Sequence, residues 1–263
     1  MASDTGVPVV TKADLLAALR TLGFKAGDTV LVHSSIKSLG RFDGTPNDII
    51  DAMLELVGPE GTIALPTLTG AARDGEEGPL RFDARSTPCW TGTLCETLRK
   101  RSDARRSAHP THSIAAVGKR ARWLTDDHHL AETPCGKGSP WLKLAEIKAH
   151  ILFLGVKLNS CTLLHGVEEL ANSLYHMKSR PAEAFVIDQD GREHHGHFLV
   201  HCWNHARRFH DAVYPELVER RLIRQTRVGN ADLVACRADE FVNYTLPRLK
   251  AEPAWLLAGY HNP

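Results

Sequence analysis

The segment TLLHGVEELANSLYH, residues 162–176, sets His165 and Glu168 three positions apart in a stretch that reads as a helix. Side chains at i and i+3 of a helix are neighbours and touch. On a helical wheel Leu163, Val167, Leu170 and Leu174 fall on one side. His165, Glu168, Asn172 and His176 form a polar stripe on the other. Three readings fit the pair. A carboxylate that accepts one imidazole N–H fixes the tautomer and raises the basicity of the ring, which makes a general base. The two residues also offer two metal ligands, although the HxxEH pattern of metalloproteases fails because Glu169 stands where its second histidine belongs. The third reading is a solvated helix face. The pair alone leaves all three open.

A second stretch with chemical capacity is HSSIKSLG, residues 33–40, which follows an apolar run. It offers small residues, hydroxyls, backbone N–H groups and the point charge of Lys37. Strand-to-helix turns of this kind bind phosphate, and the same serines serve equally as plain turn and cap residues. The basic run RKRSDARR, residues 99–106, would meet a phosphate or form a solvated helix end. The chain has 15 histidines. His195 and His197 share one face of an expected strand, with His194 on the other. His201 and His205 stand at i and i+4. Either pair would take a metal adventitiously. No third and fourth ligands have suitable spacing, so no metal site is expected.

The elements that must position these residues are legible. The 263 residues, 43% of them hydrophobic, fit one α/β domain spanning 1–263. Thirty-two basic against 31 acidic residues gives no global pull toward nucleic acid or a membrane surface. No apolar run approaches the about 20 residues that span a bilayer, and the N-terminus lacks a signal-peptide pattern. The six cysteines contain no CxxC pair and read as reduced, cytoplasmic thiols. TKADLLAALRTLG is a helix capped by Thr11 and Asp14 and ended by Gly23. TPNDIIDAMLELVGPEG repeats that grammar with Thr45, Pro46, Asp48 and Gly58. Strands are expected at GDTVLVHSS, GTIALPTLTG, SIAAVG and HILFLGV, with one more at TRVGNADLVAC and a hairpin over 182–201. Residues 71–90 read as a long loop. The expected architecture is a central mixed, largely parallel sheet flanked by helices, with the hairpin and C-terminal helices walling a substrate cleft. The His165 helix follows the strand HILFLGV, and ligands in such sheets collect past the carboxyl ends of strands.

Six stretches, in order, resemble the aminoglycoside 3-N-acetyltransferase family. They are LVHSSIKSLG (31–40), GPEGTIALPTLTG (58–70), FDARSTPCWTGTLCETLRK (82–100), RSAHPTHSIAAVG (106–118), GKGSPWLKL (136–144) and LGVKLNSCTLLHGVEELA (154–171). The resemblance covers roughly residues 10–250. It implies acetyl-CoA as cosubstrate and direct transfer of its acetyl group to a small-molecule amine, with His165 as general base and Glu168 as its partner. It implies that His33, Ser34, Ser35, Ile36, Lys37, Ser38, Thr69, Ser107, His109 and Ser113 meet the cofactor. His112 reads as an ordinary loop histidine, and no cysteine needs to act as a nucleophile.

The substrate side departs from the family. Asn159 stands where an aspartate is common, and HCWNHARRFHD, residues 201–211, replaces a stretch that is often acidic. The expected substrate contacts are Asp83, Asn159, Glu169 and His201, with Asp83 and Glu168 as the acidic groups to meet an ammonium. Expected partners are the amine and a second copy of the chain, without nucleic acid or membrane. Two other classes compete: a noncatalytic acyl-CoA or small-molecule binding protein of the same fold, and a metal-dependent hydrolase using His165, Glu168 and the histidines of 194–205.

Overall fold

The computed structural model describes residues 9–70, 78–173, 175, 177–202 and 210–258. Its first half follows the helix grammar of the sequence. The strand β1 (Val9–Val10) leads into α1 (Lys12–Thr21), where Thr11 and Asp14 close a capping box. Then come β2 (Thr29–Ser34), β3 (Arg41–Phe42) and α2 (Pro46–Val57), which opens with a second capping box from Thr45 and Asp48. Each box satisfies two backbone N–H groups that a helix start leaves without partners. The chain continues through β4 (Thr62–Pro66), β5 (Leu80–Asp83), α3 (Thr93–Arg99), β6 (Arg105–Arg106) and β7 (Ile114–Gly118). The remaining elements are α4 (Ala121–Thr125), α5 (Pro140–Glu146), β8 (His150–Leu154), α6 (Leu163–Leu170), β9 (Ala182–Ile187), β10 (Glu193–Phe198), α7 (Val213–Glu219), β11 (Ile223–Val228), β12 (Ala231–Arg237) and α8 (Ala238–Ala251).

A seven-stranded sheet in the order β11-β12-β8-β2-β4-β7-β6 forms the centre. Its strands alternate between two cores, as a period of two requires. Val30, Val32, Ile63, Leu65, Leu152 and Leu154 face the core built with α1, α2 and α3. Leu31, Ala64, Ile151 and Phe153 face a second core built with α5, α6, α7 and α8. The sheet is mixed, as expected, but not largely parallel. Only β2 pairs in parallel, with β4 and β8, while the other four pairings are antiparallel. The difference lies partly at TRVGNADLVAC, read as one strand. Gly229 turns there at φ 55°, and a Cβ on it would meet the Leu39 carbonyl at 2.4 Å, so the chain reverses into the β11–β12 hairpin. The expected 182–201 hairpin is β9–β10, and β9 also pairs with β5 in a separate three-stranded sheet. No helix among the described residues is long and apolar enough to cross a membrane.

Charged and polar groups are folded into this frame. The guanidinium of Arg106 is buried and donates to Thr67 Oγ1, the Thr67 carbonyl, the Thr87 carbonyl and Ser113 Oγ. The rest of the basic run is equally engaged. Arg99 and Lys100 pair with Glu96, Arg101 with Asp51 and Asp103, and Arg105 with Asp126 and Asp190. His33 and His128 are among the histidines buried in neutral form. His33 stacks on Phe153, and burial pushes its pKa down to about 3. His128 accepts from Ser107 at Nδ1, donates from Nε2 to the Pro134 carbonyl, and is likewise pushed down to about 3 by burial.

Phe153→Ala should destabilise the protein by about 3–5 kcal/mol through the cavity it leaves, against about 1 kcal/mol for Thr45→Ala at the exposed helix start. Urea unfolding with an unchanged m-value checks both. The buried histidines set an acid limit. Their folded pKa lies below the ordinary value near 6.5, so the unfolded chain binds more protons and stability is full above that value. It should fall as pH drops from about 6.5 toward 3, by up to ~1.4 kcal/mol per pH unit for each histidine. Urea midpoints that are equal at about pH 7.5 and about pH 5 would contradict this.

Candidate active site

The parallel strands β2, β4 and β8 end side by side at Ser34, Pro66 and Leu154. A cavity of about 370 Å³ opens at these carboxyl ends. His33 and Ser34 line it from β2, Pro66 and Leu68 from β4, and Asn159, Thr162 and His165 from the connection after β8 and the first turn of α6. Trp90, 56% exposed, stands at its rim. This is the crevice in which open α/β sheets collect ligands.

The polar stripe of α6 is not a wet face. His165 is 8% exposed and Glu168 fully buried. The helix ends at Leu170 rather than running to His176, because Asn172 turns the backbone left-handed at φ 59°. Leu174 and His176 lie outside the described residues. A helical wheel cannot see what covers the stripe: Tyr175 and segments distant in sequence that carry His112, His201 and His210. His165 Nδ1 bonds Glu168 Oε2 at 2.7 Å, and the Tyr175 hydroxyl donates to Glu168 Oε1 at 2.6 Å. His210 Nε2 lies 3.6 Å from that same oxygen. Burial alone would raise the Glu168 pKa. The His165 hydrogen bond and the nearby His210 imidazole outweigh it and hold the carboxyl well below the ordinary range. Glu168 is therefore a fully buried anion bonded to His165 and Tyr175.

Tyr175 and His210 escaped the sequence reading. Tyr175 stands seven residues after Glu168, about two helical turns, which is a weak signal. His210 arrives from a distant segment and has none. Asp211 escaped too. Asn159 donates from its backbone N–H (3.0 Å) and Nδ2 (2.8 Å) to Asp211, and Asn159 Oδ1 accepts from the Asp211 backbone at 3.1 Å. Asp211 and Asp232 line a neighbouring cavity of about 490 Å³ that also takes in Ser38, Lys157 and Tyr214. The Asn159–Asp211 pair thus links the two cavities.

The other predicted residues divide sharply. His33 and Ser34 line the His165 cavity and Ser38 the neighbouring one, with Ser38 Oγ donating to the Gly155 carbonyl at 2.9 Å. Ile36 packs against the core and Lys37 is exposed, in the 3-10 turn that Ser35 precedes. Thr69, Ser107, His109 and Ser113 turn inward. Thr69 Oγ1 donates to the Pro110 carbonyl, Ser107 to His128, and Ser113 to the Thr67 carbonyl. His109 Nδ1 accepts the Thr111 and His112 backbone N–H groups. Asp83 closes the β5 turn with Thr87 and Arg85 and lines neither cavity. Glu169 and His201 are bonded to each other at 2.7 Å, both side chains buried. On the hairpin, His194 pairs with Asp188 and His195 with Glu183. His205, Arg207 and Arg208 lie outside the described residues.

Comparison with known proteins bears on this arrangement. The model of the aminoglycoside 3-N-acetyltransferase family matches residues 31–250. Aminoglycoside N(3)-acetyltransferase III of Acinetobacter baumannii is 35% identical over 176 residues, 62% of this chain and 61% of that protein. The chain thus spans about three fifths of the length of that relative. The structure of AAC-IIIb in binary complex with CoASH superposes with a TM-score of 0.81 at 28% identity, covering 93% of this chain and 97% of that one. A histidine-to-alanine mutant of AAC(3)-IVa in complex with a gentamicin gives a TM-score of 0.81 at 27% identity, covering 97% and 93%. The family match takes in the three strand ends, the cavity above them and the whole of α6, and the chain therefore belongs to the aminoglycoside 3-N-acetyltransferase family.

Proposed function

We propose that this chain transfers the acetyl group of acetyl-CoA to an amine of an aminoglycoside, by direct transfer with His165 as general base. The observation that carries the reading is the buried His165–Glu168 pair opening onto a cavity at the ends of β2, β4 and β8. Family membership and the likeness to a CoASH complex support acetyl-CoA as cosubstrate. The likeness to a gentamicin complex supports the acceptor class.

Acetyl-CoA supplies an electrophilic thioester carbon. His165, holding its Nδ1–H toward Glu168, carries its lone pair on Nε2. Nε2 takes the proton from the acceptor nitrogen as the C–N bond forms and the C–S bond breaks. The CoA thiolate leaves and takes that proton from the His165 imidazolium, which returns the ring to its neutral form. Glu168 orients the ring and stabilises the imidazolium, and is itself fixed by Tyr175 and His210. His33 and Ser34 shape the wall beside the reacting carbonyl. General-base help is worth about 10²–10⁴-fold, so positioning supplies most of the remainder. The acceptor approaches from the side of Asp211 and Asp232. The acidic charge that Asn159 does not provide is supplied there by Asp211, from a different segment.

Thiol release from acetyl-CoA in the presence of a panel of aminoglycosides and simple amines tests the function. His165→Ala should retain the fold and lose about 10²–10⁴-fold in kcat. Absence of turnover with every amine removes the enzyme reading, and wild-type turnover by His165→Ala removes the mechanism. Asp211→Asn should raise KM for a polycationic aminoglycoside by roughly fivefold or more with a smaller effect on kcat. An unchanged KM places the acceptor elsewhere.

A further inference from the structure

Three segments distant in sequence meet beside the His165 helix. His112 comes from the turn before β7, Cys135 from the loop before α5, and His201 from an isolated bridge to Met177 after β10. One candidate donor atom from each, two imidazole nitrogens and the Cys135 Sγ, lies within 4.8 Å of the other two, and all three residues are buried. The rings of His112 and His201 approach to 4.2 Å between centroids.

The surroundings are those of held ligands. His201 Nε2 bonds Glu169 Oε1 at 2.7 Å, and Glu169 also accepts the Cys135 backbone N–H at 3.0 Å, so one buried carboxylate braces two of the three residues. His112 Nδ1 bonds Thr111 Oγ1 at 2.8 Å, and the His112 carbonyl accepts Trp141 Nε1 at 3.0 Å. A carboxylate or hydroxyl behind each imidazole, fixing its tautomer and direction, is the usual support of a metal-ligating histidine. We propose that His112 Nε2, Cys135 Sγ and His201 Nδ1 bind one divalent cation of the zinc type, with Glu169 as the residue that positions two of the ligands. Two imidazoles and one thiolate select a borderline-soft ion such as Zn²⁺ over Mg²⁺ or Ca²⁺. Tetrahedral Zn²⁺ holds such donors about 3.4–3.6 Å apart, so rotations of about 1 Å close the site. Binding releases the Cys135 thiol proton to solvent. The ion ties three segments into the wall against which the His165 ring packs, 4.8 Å from the His201 ring between centroids.

This assigns a role to Cys135 and His112, which the sequence reading left as a plain structural thiol and an ordinary loop histidine. A neighbouring group, His165, Glu168 and His210, also brings three donors within 4.8 Å, but it contains no sulfur. That difference makes the two sites distinguishable by spectroscopy.

The test uses the full chain without a histidine tag, stripped with chelator and reconstituted with Zn²⁺ or Co²⁺. The expected result is one bound equivalent, a rise in Tm with Zn²⁺, and a Co²⁺ spectrum with a sulfur-to-metal charge-transfer band. Cys135→Ser should lose that band and at least about tenfold in affinity. Glu169→Gln should keep the band and bind about 10–100-fold more weakly, which preserves the test should Cys135→Ser fail to fold. A double His195→Ala, His197→Ala variant should bind as wild type. Failure to retain a stoichiometric metal overturns the proposal. So does a Co²⁺ spectrum without the sulfur band, which would put the ion at His165–Glu168–His210 or on the hairpin histidines.

Discussion

A fully buried carboxylate is the constraint around which this half of the molecule is built. Moving Glu168 out of water costs several kcal/mol unless donors replace its hydration. His165, Tyr175 and His210 converge on its two oxygens. Each comes from a different place: the same helix, the turn that follows it, and a 3-10 turn beyond the hairpin. Satisfying Glu168 therefore requires the C-terminal half of the chain to close over α6. The closure that desolvates the carboxylate also fixes the imidazole, so folding and orientation of the ring are one event.

The sheet supplies the other half of the site. Because β2, β4 and β8 run in parallel, their ends form one edge, and the connections leaving that edge all reach the same crevice. The antiparallel strands at the flanks, β7 and β12, return the chain and leave the edge open. The segments around His109, His112 and Ser113 do not reach into the crevice. They are cross-bonded internally through His109 Nδ1, Thr67 and the buried guanidinium of Arg106. Their work is to hold one wall rigid. The neutral burial of His128 belongs to the same arrangement, its ring held between Ser107 and the Pro134 carbonyl.

Local chemistry was legible and long-range convergence was not. The capping boxes at Thr11 and Thr45, the strand TVLVHS and the hairpin over 182–201 follow from period, caps and turns. The pairing of His165 with Glu168 follows from i, i+3 spacing, and the resemblance of six ordered stretches raised it above a solvated face. What spacing cannot show is which distant residues cover a helix stripe. The same stripe that reads as wet on a wheel is dry in the fold, and Tyr175, His210 and the His112–Cys135–His201 cluster enter only through tertiary structure. Likewise Asn159 reads as a lost acidic group until Asp211 is brought against it. The turn at Gly229 was missed because apolar residues flank it closely enough to read as one strand.

In the proposed mechanism His165 and Glu168 act as one unit, and a double-mutant cycle in kcat measures that directly. Acetyl transfer by His165→Ala, Glu168→Gln and the double variant would be compared under saturating acetyl-CoA. If the carboxylate works only through the imidazole, the double variant should be about as slow as His165→Ala alone, because residues that act as a unit are strongly non-additive. If the two losses instead multiply in the double variant, Glu168 contributes independently of the base and the central claim is contradicted.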